Sequence, residues 1–357
     1  MQHPQDFQER AHTMDRPGHH FAFLIAPNGA MLGLADDGSL SLCGDADDRV
    51  VWDRVPGGIR HVATDRELPA EIDGDACTLP IGSDEVTFRI AHGPEKLPSE
   101  SLEHLRRDGW TCLTCILPPE TVTALQRLAC TDDYEHLEIN NEVPKLCQGV
   151  EVGRAITEPV SLWLIRQYMQ TRDLHLGHPP GFAVLRPWDG KSRVQRWHAD
   201  IPYIPSIGGN VVADRKGPIK AVQRNVCVSD FGKHNGATAF KLGSHAADTG
   251  PPPEWNPLAD DGEPARPYSG PDADVVEAPA GSIILYDART WHRAGFNHSA
   301  RKRAAMLMSF QAVDVIPKRD TRTTYQRLRE SPIYEELNGR EQREIGELLL
   351  NQPPIPA

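Results

Sequence analysis

At 357 residues and a formal net charge of −12, the chain is long enough for a large domain plus a smaller one. Its 50 acidic residues outnumber 38 basic ones, which argues against nucleic acid as a partner, because phosphates are neutralised by Lys and Arg. No stretch approaches the roughly 18 consecutive apolar residues of a membrane span, so no membrane partner is expected either.

Residues 1–20, MQHPQDFQERAHTMDRPGHH, lack an apolar run and read as a flexible polar lead-in rather than a secretory signal. Residues 21–95 read as a β-rich accessory domain. Asn28-Gly29 and Asp37-Gly38 are turn dipeptides between short apolar runs, and VVWDRV and EVTFRIA continue the pattern. No cluster of reactive side chains marks this region, so packing or oligomerisation is its expected role, with binding the alternative.

The character changes near residue 96, where a unit spanning 96–317 begins. SLEHLRRDGW places Leu102 and Leu105 on one helical face and stops at Asp108-Gly109. The strand WTCLTCIL follows, and PETVTALQRLA opens a second helix with Pro near its start. EPVSLWLIRQYMQT carries Leu162, Ile165 and Tyr168 at helical spacing. Cys112 and Cys115 form a CxxC, but positions i and i+3 of a strand face opposite ways. Seven cysteines, an odd number without framework spacing, suit free thiols in a reducing compartment, and a cytoplasmic location is expected.

From Gly181 the chain returns to short strands: GFAVLRP, VQRWHAD, KAVQRNVCVSDF, GATAFKL, GSIILYD, WHRAG and RAAMLMSFQAV. Such a series with Gly and Pro breaks predicts an antiparallel barrel or double-sheet jelly roll. Two long connections, 201–219 and 246–274, are expected to wall a pocket with Tyr203, Lys216, Trp255, Arg266 and Tyr268. That mixture suits a polar small-molecule substrate. Residues 318–357 form a charged helical tail, either a packing element or a homodimer contact.

WHAD sets His198 and Asp200 at i and i+2, which on a strand project to one face and can reach one ion. Two histidines and one carboxylate leave three positions of an octahedral ion open, the arrangement of non-haem Fe(II) oxygen chemistry. WHRAGFNHSARKRAAM reads as strand, turn, strand. A turn centred between Asn297 and His298 predicts His292 opposite Arg303 on a hairpin. There the guanidinium would grip the far carboxylate of a chelated diacid. Arg301 and His245 are the rivals for these roles, and His298 is expected on the exposed turn. Trp197 and Trp291, beside the two histidines, are expected to pack the barrel.

Over roughly residues 100–315 the sequence resembles the phytanoyl-CoA dioxygenase family of Fe(II)/2-oxoglutarate-dependent oxygenases. The resemblance rests on LRRDGWTCLTCILPPETVTALQ, QRWHAD, HNGATAFKLGSH and the run H-x-x-G-x-N-x-S-x-x-x-R from His292 to Arg303. It implies a mainly β fold with flanking helices, a double-stranded β-helix (jelly-roll, cupin-like) core beside the small N-terminal β-rich domain. It implies Fe(II), 2-oxoglutarate and O2 as cofactors, with His198, Asp200 and His292 as metal ligands. Arg303 would hold the 2-oxoglutarate C5 carboxylate, and Asn225 would touch the same cosubstrate. Ala294 stands where relatives can carry a hydroxyl that helps the arginine, and Leu242 where they have Pro. Related halogenases carry a small residue at the position of Asp200, so its carboxylate points to oxygenation, most simply hydroxylation. Desaturation, ring formation and demethylation are alternatives within the class, and a non-catalytic cupin-like binding protein is the alternative outside it.

Overall fold

The computed structural model describes residues 14–129, 142–191, 196–200, 217–252, 255 and 273–354. The N-terminal region folds into a nine-stranded antiparallel sheet. Its strands are β1 (Ala22–Ile25), β2 (Met31–Leu34), β3 (Leu40–Cys43), β4 (Trp52–Val55), β5 (Gly58–His61), β6 (Glu67–Pro69), β7 (Glu71–Asp73), β8 (Ala76–Ile81) and β9 (Asp84–His92). The predicted turn dipeptides close β1–β2 and β2–β3: Gly29 and Gly38 sit at φ +86° and +81°, a region open to glycine at little steric cost. One face buries Leu24, Leu32, Trp52, Ile59 and Phe88 in a core of its own. Phe23 and Met31, on the other face, join the main core of the molecule.

Three predicted helices form where their signals lie. They are α1 (Pro98–Asp108), α2 (Pro119–Ala129) and, after a short α3 (Val150–Ile156), α4 (Pro159–Met169). α1 ends on Gly109 in the left-handed region, and Glu158 caps α4 by accepting the amides of Val160 and Ser161 at 2.9 and 2.7 Å. α3 has no clear signal in the sequence. Val150, Val152, Gly153, Ala155 and Ile156 are all buried, and only Glu151 and Arg154, paired at 3.8 Å, mark its outer side.

Nine further strands build the jelly roll: β10 (Trp110–Leu113), β11 (Leu174–Leu176), β12 (Gly181–Leu185), β13 (Ala221–Cys227), β14 (Thr238–Lys241), β15 (Ala273–Val275), β16 (Ile283–Asp287), β17 (His292–Ala294) and β18 (Arg303–Ala312). The larger sheet runs β10-β16-β13-β18, with β11 and β12 both pairing to β18; the smaller runs β15-β14-β17. Every pair is antiparallel. This is the expected mainly β, double-sheet architecture with flanking helices.

Alternation along β18 divides the two layers. Ala304, Met306, Met308 and Phe310 pack with the helices, while Ala305 and Leu307 join Phe231, Phe240, Ile284 and Tyr286 in the smaller inter-sheet cluster. The tail is α5 (Arg322–Arg329), α6 (Ile333–Glu336) and α7 (Gly339–Leu350); Ile345, Leu348 and Leu349 of α7 are part of the main core. No helix among the described residues is long and apolar enough to cross a membrane. The six described cysteines are free thiols.

Two sequence expectations need correction. VQRWHAD is not a regular strand in its described part, residues 196–200. His198 instead forms an isolated antiparallel bridge to His292, exchanging backbone hydrogen bonds of 3.1 and 2.9 Å. Nor do β17 and β18 form a hairpin. His292 pairs with Phe240 in the small sheet, whereas Arg303 pairs with Leu185 in the large one. Residues 295–302 cross between the sheets, and Asn297, 1% exposed, ties that crossing. Its Nδ2 donates to the carbonyls of Leu185 and Arg301, and its Oδ1 accepts from Ser299.

Candidate metal centre

His198, Asp200 and His292 each offer a ligand atom, and these three atoms lie within 4.8 Å of one another. The bridge to β17 brings His198 beside His292. The Asp200 amide is fixed separately, by donating to the carbonyl of Ala288 at 2.8 Å. Asp200 faces Nε2 of both histidines at 3.6 Å, beyond hydrogen-bond length.

The histidine tautomers follow from their neighbours, since a carbonyl can only accept. Nδ1 of His292 donates to Thr290 at 2.9 Å, and Nδ1 of His198 donates to Arg196 at 2.8 Å. In the neutral form each ring then presents the Nε2 lone pair toward Asp200. Burial lowers the His292 pKa to about 4, so its ring is neutral near pH 7 despite the Asp200 carboxylate. Two imidazole lone pairs and a carboxylate converging at this separation repel one another unless a cation lies among them. The donor set fits a divalent ion of the iron type, with one side left for other ligands.

Tyr286 stands beside this cluster. Its hydroxyl lies 3.5 Å from Nε2 of His292, and Asn225 sits one rung away on the adjacent strand β13. Burial, and then the charge of Asp200, push the phenol well above its ordinary pKa, so it remains a donor. The sequence reading missed Tyr286. Period-two alternation in GSIILYD, which sets Ile284 and Tyr286 on one face, was the available signal.

The large sheet orders the inner face into rungs. Gln311 pairs with Ala221; Ser309, Gln223 and Tyr286 share the next rung, and Leu307, Asn225 and Ile284 the one after. Ala305 and Cys227 follow, and Arg303 lies one rung further. The Arg303 guanidinium sits 4.2 Å from the Phe231 ring centroid, between the sheets and 9% exposed. Arg301, its rival, is exposed, as is His298. His245 packs against Gly109 and is not part of the three-residue cluster. Trp255 is buried edge-on against Trp197 and Trp291. Tyr203, Lys216, Arg266 and Tyr268 lie outside the described residues.

A jelly roll carrying two histidines and a carboxylate at one point of its inner face defines a class, the non-haem iron oxygenases. Residues 155–305 match the family model of phytanoyl-CoA dioxygenase (PhyH). The enzyme is therefore an Fe(II)/2-oxoglutarate-dependent oxygenase, with Fe(II), 2-oxoglutarate and O2 as its cofactors. No curated protein sequence matches the chain. Among solved structures, it is similar to the epimerase SnoN in complex with Fe3+, alpha ketoglutarate and nogalamycin RO. That match has 18% identity over 62% of this chain and 85% of that one, with a TM-score of 0.43. It is also similar to the alpha ketoglutarate-dependent carbocyclase SnoK from nogalamycin biosynthesis, at 17% identity over 63% and 89% of the two chains, with a TM-score of 0.43.

Proposed function

We propose that the enzyme hydroxylates a C–H bond of a polar small molecule in specialised metabolism, with the iron held by His198, Asp200 and His292. The convergence of those three ligand atoms within 4.8 Å is the observation that carries the reading. Bound Fe(II), 2-oxoglutarate and O2 supply oxidative decarboxylation, which releases succinate and CO2 and oxidises the substrate. The protein's own residues bind, orient and exclude water. Thr290 and Arg196 hold the two histidines in the tautomer that presents Nε2. Arg303 receives the C5 carboxylate of 2-oxoglutarate through its planar fork, inside the dry space lined by Phe231. Asn225, two rungs from Arg303 and one from Tyr286, orients the cosubstrate from the same inner face.

The substrate class follows from the other end of the inner face. Gln223, Ser309 and Gln311 form an uncharged hydrogen-bonding wall there. The Gln311 Oε1 is buried without a hydrogen-bond partner among the described residues. A substrate hydroxyl or N–H would satisfy that acceptor. Asp200 keeps a carboxylate where chloride would otherwise bind, which favours hydroxylation over halogenation. Free cysteines in every described case agree with a cytoplasmic enzyme.

Calorimetric titration of 2-oxoglutarate into the Mn(II)-loaded protein, paired with succinate release under O2, tests this reading. Binding should need the metal and vanish in His198→Ala. Metal-independent binding, or full substrate-dependent turnover by His198→Ala, would overturn it and leave the non-catalytic binding protein as the better description. Mass spectrometry of a turned-over substrate, gaining one oxygen or losing two hydrogens, separates hydroxylation from desaturation or ring formation.

A further inference from the structure

Behind the candidate metal centre lies a buried ionic group that the proposed reaction does not use. Asp287 ends β16 and is 0% exposed. Its Oδ2 accepts the Tyr168 hydroxyl from α4 at 2.7 Å and Arg289 Nη2 at 2.6 Å. Its Oδ1 accepts the backbone amide and Nε of Arg289 at 2.8 and 2.9 Å. A carboxylate so deeply buried is tolerated only because four donors and one guanidinium charge compensate its desolvation.

The backbone around this carboxylate is tied equally well. The amide of Asp287 and the hydroxyl of Thr290 both donate to the Gly109 carbonyl, at 2.9 and 3.0 Å. The Thr290 amide donates to the Asp287 carbonyl at 2.9 Å, and the Ser244 hydroxyl accepts from the Trp291 amide at 2.8 Å. The turn from 287 to 292 therefore has one arrangement. Two of its carbonyls serve the cluster: Ala288 accepts from the Asp200 amide, and Thr290 accepts from His292 Nδ1.

We propose that Asp287 is a positioning residue for the metal centre: clamped by Tyr168 and Arg289, it fixes the turn whose carbonyls hold Asp200 and His292. This rests on His198, Asp200 and His292 being the metal ligands. Tyr168 then links α4, in the main core, to the placement of two ligands. Simple stabilisation of the fold is the competing account, and metal affinity distinguishes the two.

The test measures Mn(II) dissociation constants and Cu(II) electron paramagnetic resonance spectra for the whole chain. The variants are Asp287→Asn, Tyr168→Phe and His198→Ala, with Leu328→Ala as a control for lost stability. Leu328 is fully buried among the C-terminal helices. Asp287→Asn should weaken Mn(II) binding by about tenfold and change the Cu(II) hyperfine pattern, as for loss of an outer partner that orients ligands. Tyr168→Phe should produce a smaller loss in the same direction, and it decides the matter if Asp287→Asn does not fold. Leu328→Ala should lower Tm while leaving both readouts at wild-type values. Wild-type affinity and spectrum in Asp287→Asn, or in Tyr168→Phe should it stand in, would overturn the proposal. So would an equal loss of affinity in Leu328→Ala. If the wild type binds no Mn(II), or His198→Ala binds it equally well, the ligand assignment itself fails.

Discussion

The carbonyl of Gly109 accepts the backbone amide of Asp287 at 2.9 Å, joining the left-handed end of α1 to the turn before His292. A helix C-cap thus becomes part of the scaffold of the candidate metal centre. Gly109 has φ +79°, and a Cβ there would lie 2.4 Å from Nδ1 of His245 and 2.9 Å from the Thr290 hydroxyl. Gly109→Ala therefore combines backbone strain with displacement of groups that support the turn. Denaturant unfolding should show a loss of about 1–3 kcal/mol, accompanied by weaker Mn(II) binding. Wild-type stability in this variant would show that the turn accommodates a side chain freely.

If Arg303 holds the C5 carboxylate as proposed, cosubstrate choice depends on it. Arg303→Gln removes the charge that would pair with the C5 carboxylate, and 2-oxoglutarate binding to the Mn(II) protein should weaken by about 100-fold. Arg303→Lys keeps the charge but loses the planar fork, so its affinity should fall between the two. Metal affinity without cosubstrate should be unchanged in both, because Arg303 lies rungs away from Tyr286 and the cluster. Equal 2-oxoglutarate affinity in Arg303→Gln would move the carboxylate site elsewhere.

How the arginine reaches the inner face was only partly legible in the sequence. Strand periods and turn dipeptides locate β1, β2, β3, β16, β17 and β18, because alternation and Gly-bearing turns are local signals. Which sheet a strand joins is not local. Residues between His292 and Arg303 look like a hairpin turn, yet Asn297 uses its amide to carry the chain from one sheet to the other. The same spacing of His and Arg therefore serves a different connection. The trio that comes together, His198, Asp200 and His292, was readable because metal chemistry demands particular residue types. Asp287 was not, because its partner Tyr168 is 119 positions away and no short-range pattern links a helix tyrosine to a strand-end aspartate.

Acid should destabilise the metal-free protein earlier than carboxylate titration alone would require. Burial, the first cause in each case, lowers the pKa values of His20, His61, His104, His175, His178 and His245. Below an ordinary histidine pKa of about 6.5 the unfolded chain takes up these protons more readily than the folded one. The contribution to stability is thus complete above that pH and is lost as pH falls toward the lowered folded values. Tm should be flat in this respect from pH 7 to 8 and decline progressively below about 6.5. A Tm that stays level down to pH 5 would contradict this.

Tyr286 and Asn225 make a last, separable test of the inner face. The Tyr286 hydroxyl lies 3.5 Å from the nitrogen of His292 that faces Asp200, while Asn225 lies one rung further along the same face. Tyr286→Phe keeps the ring packed edge-on against Phe240 at 5.0 Å and deletes only the donor. Its effect on stability should be near the roughly 1 kcal/mol of one hydrogen bond. If the hydroxyl meets a bound cosubstrate, its effect on 2-oxoglutarate affinity should be larger than that on Mn(II) affinity. If Asn225 acts by holding Tyr286, Asn225→Ala should change 2-oxoglutarate affinity little further in a Tyr286→Phe background. Additive losses in the double variant, measured by the same calorimetric titration, would instead give Asn225 a contact of its own with the cosubstrate.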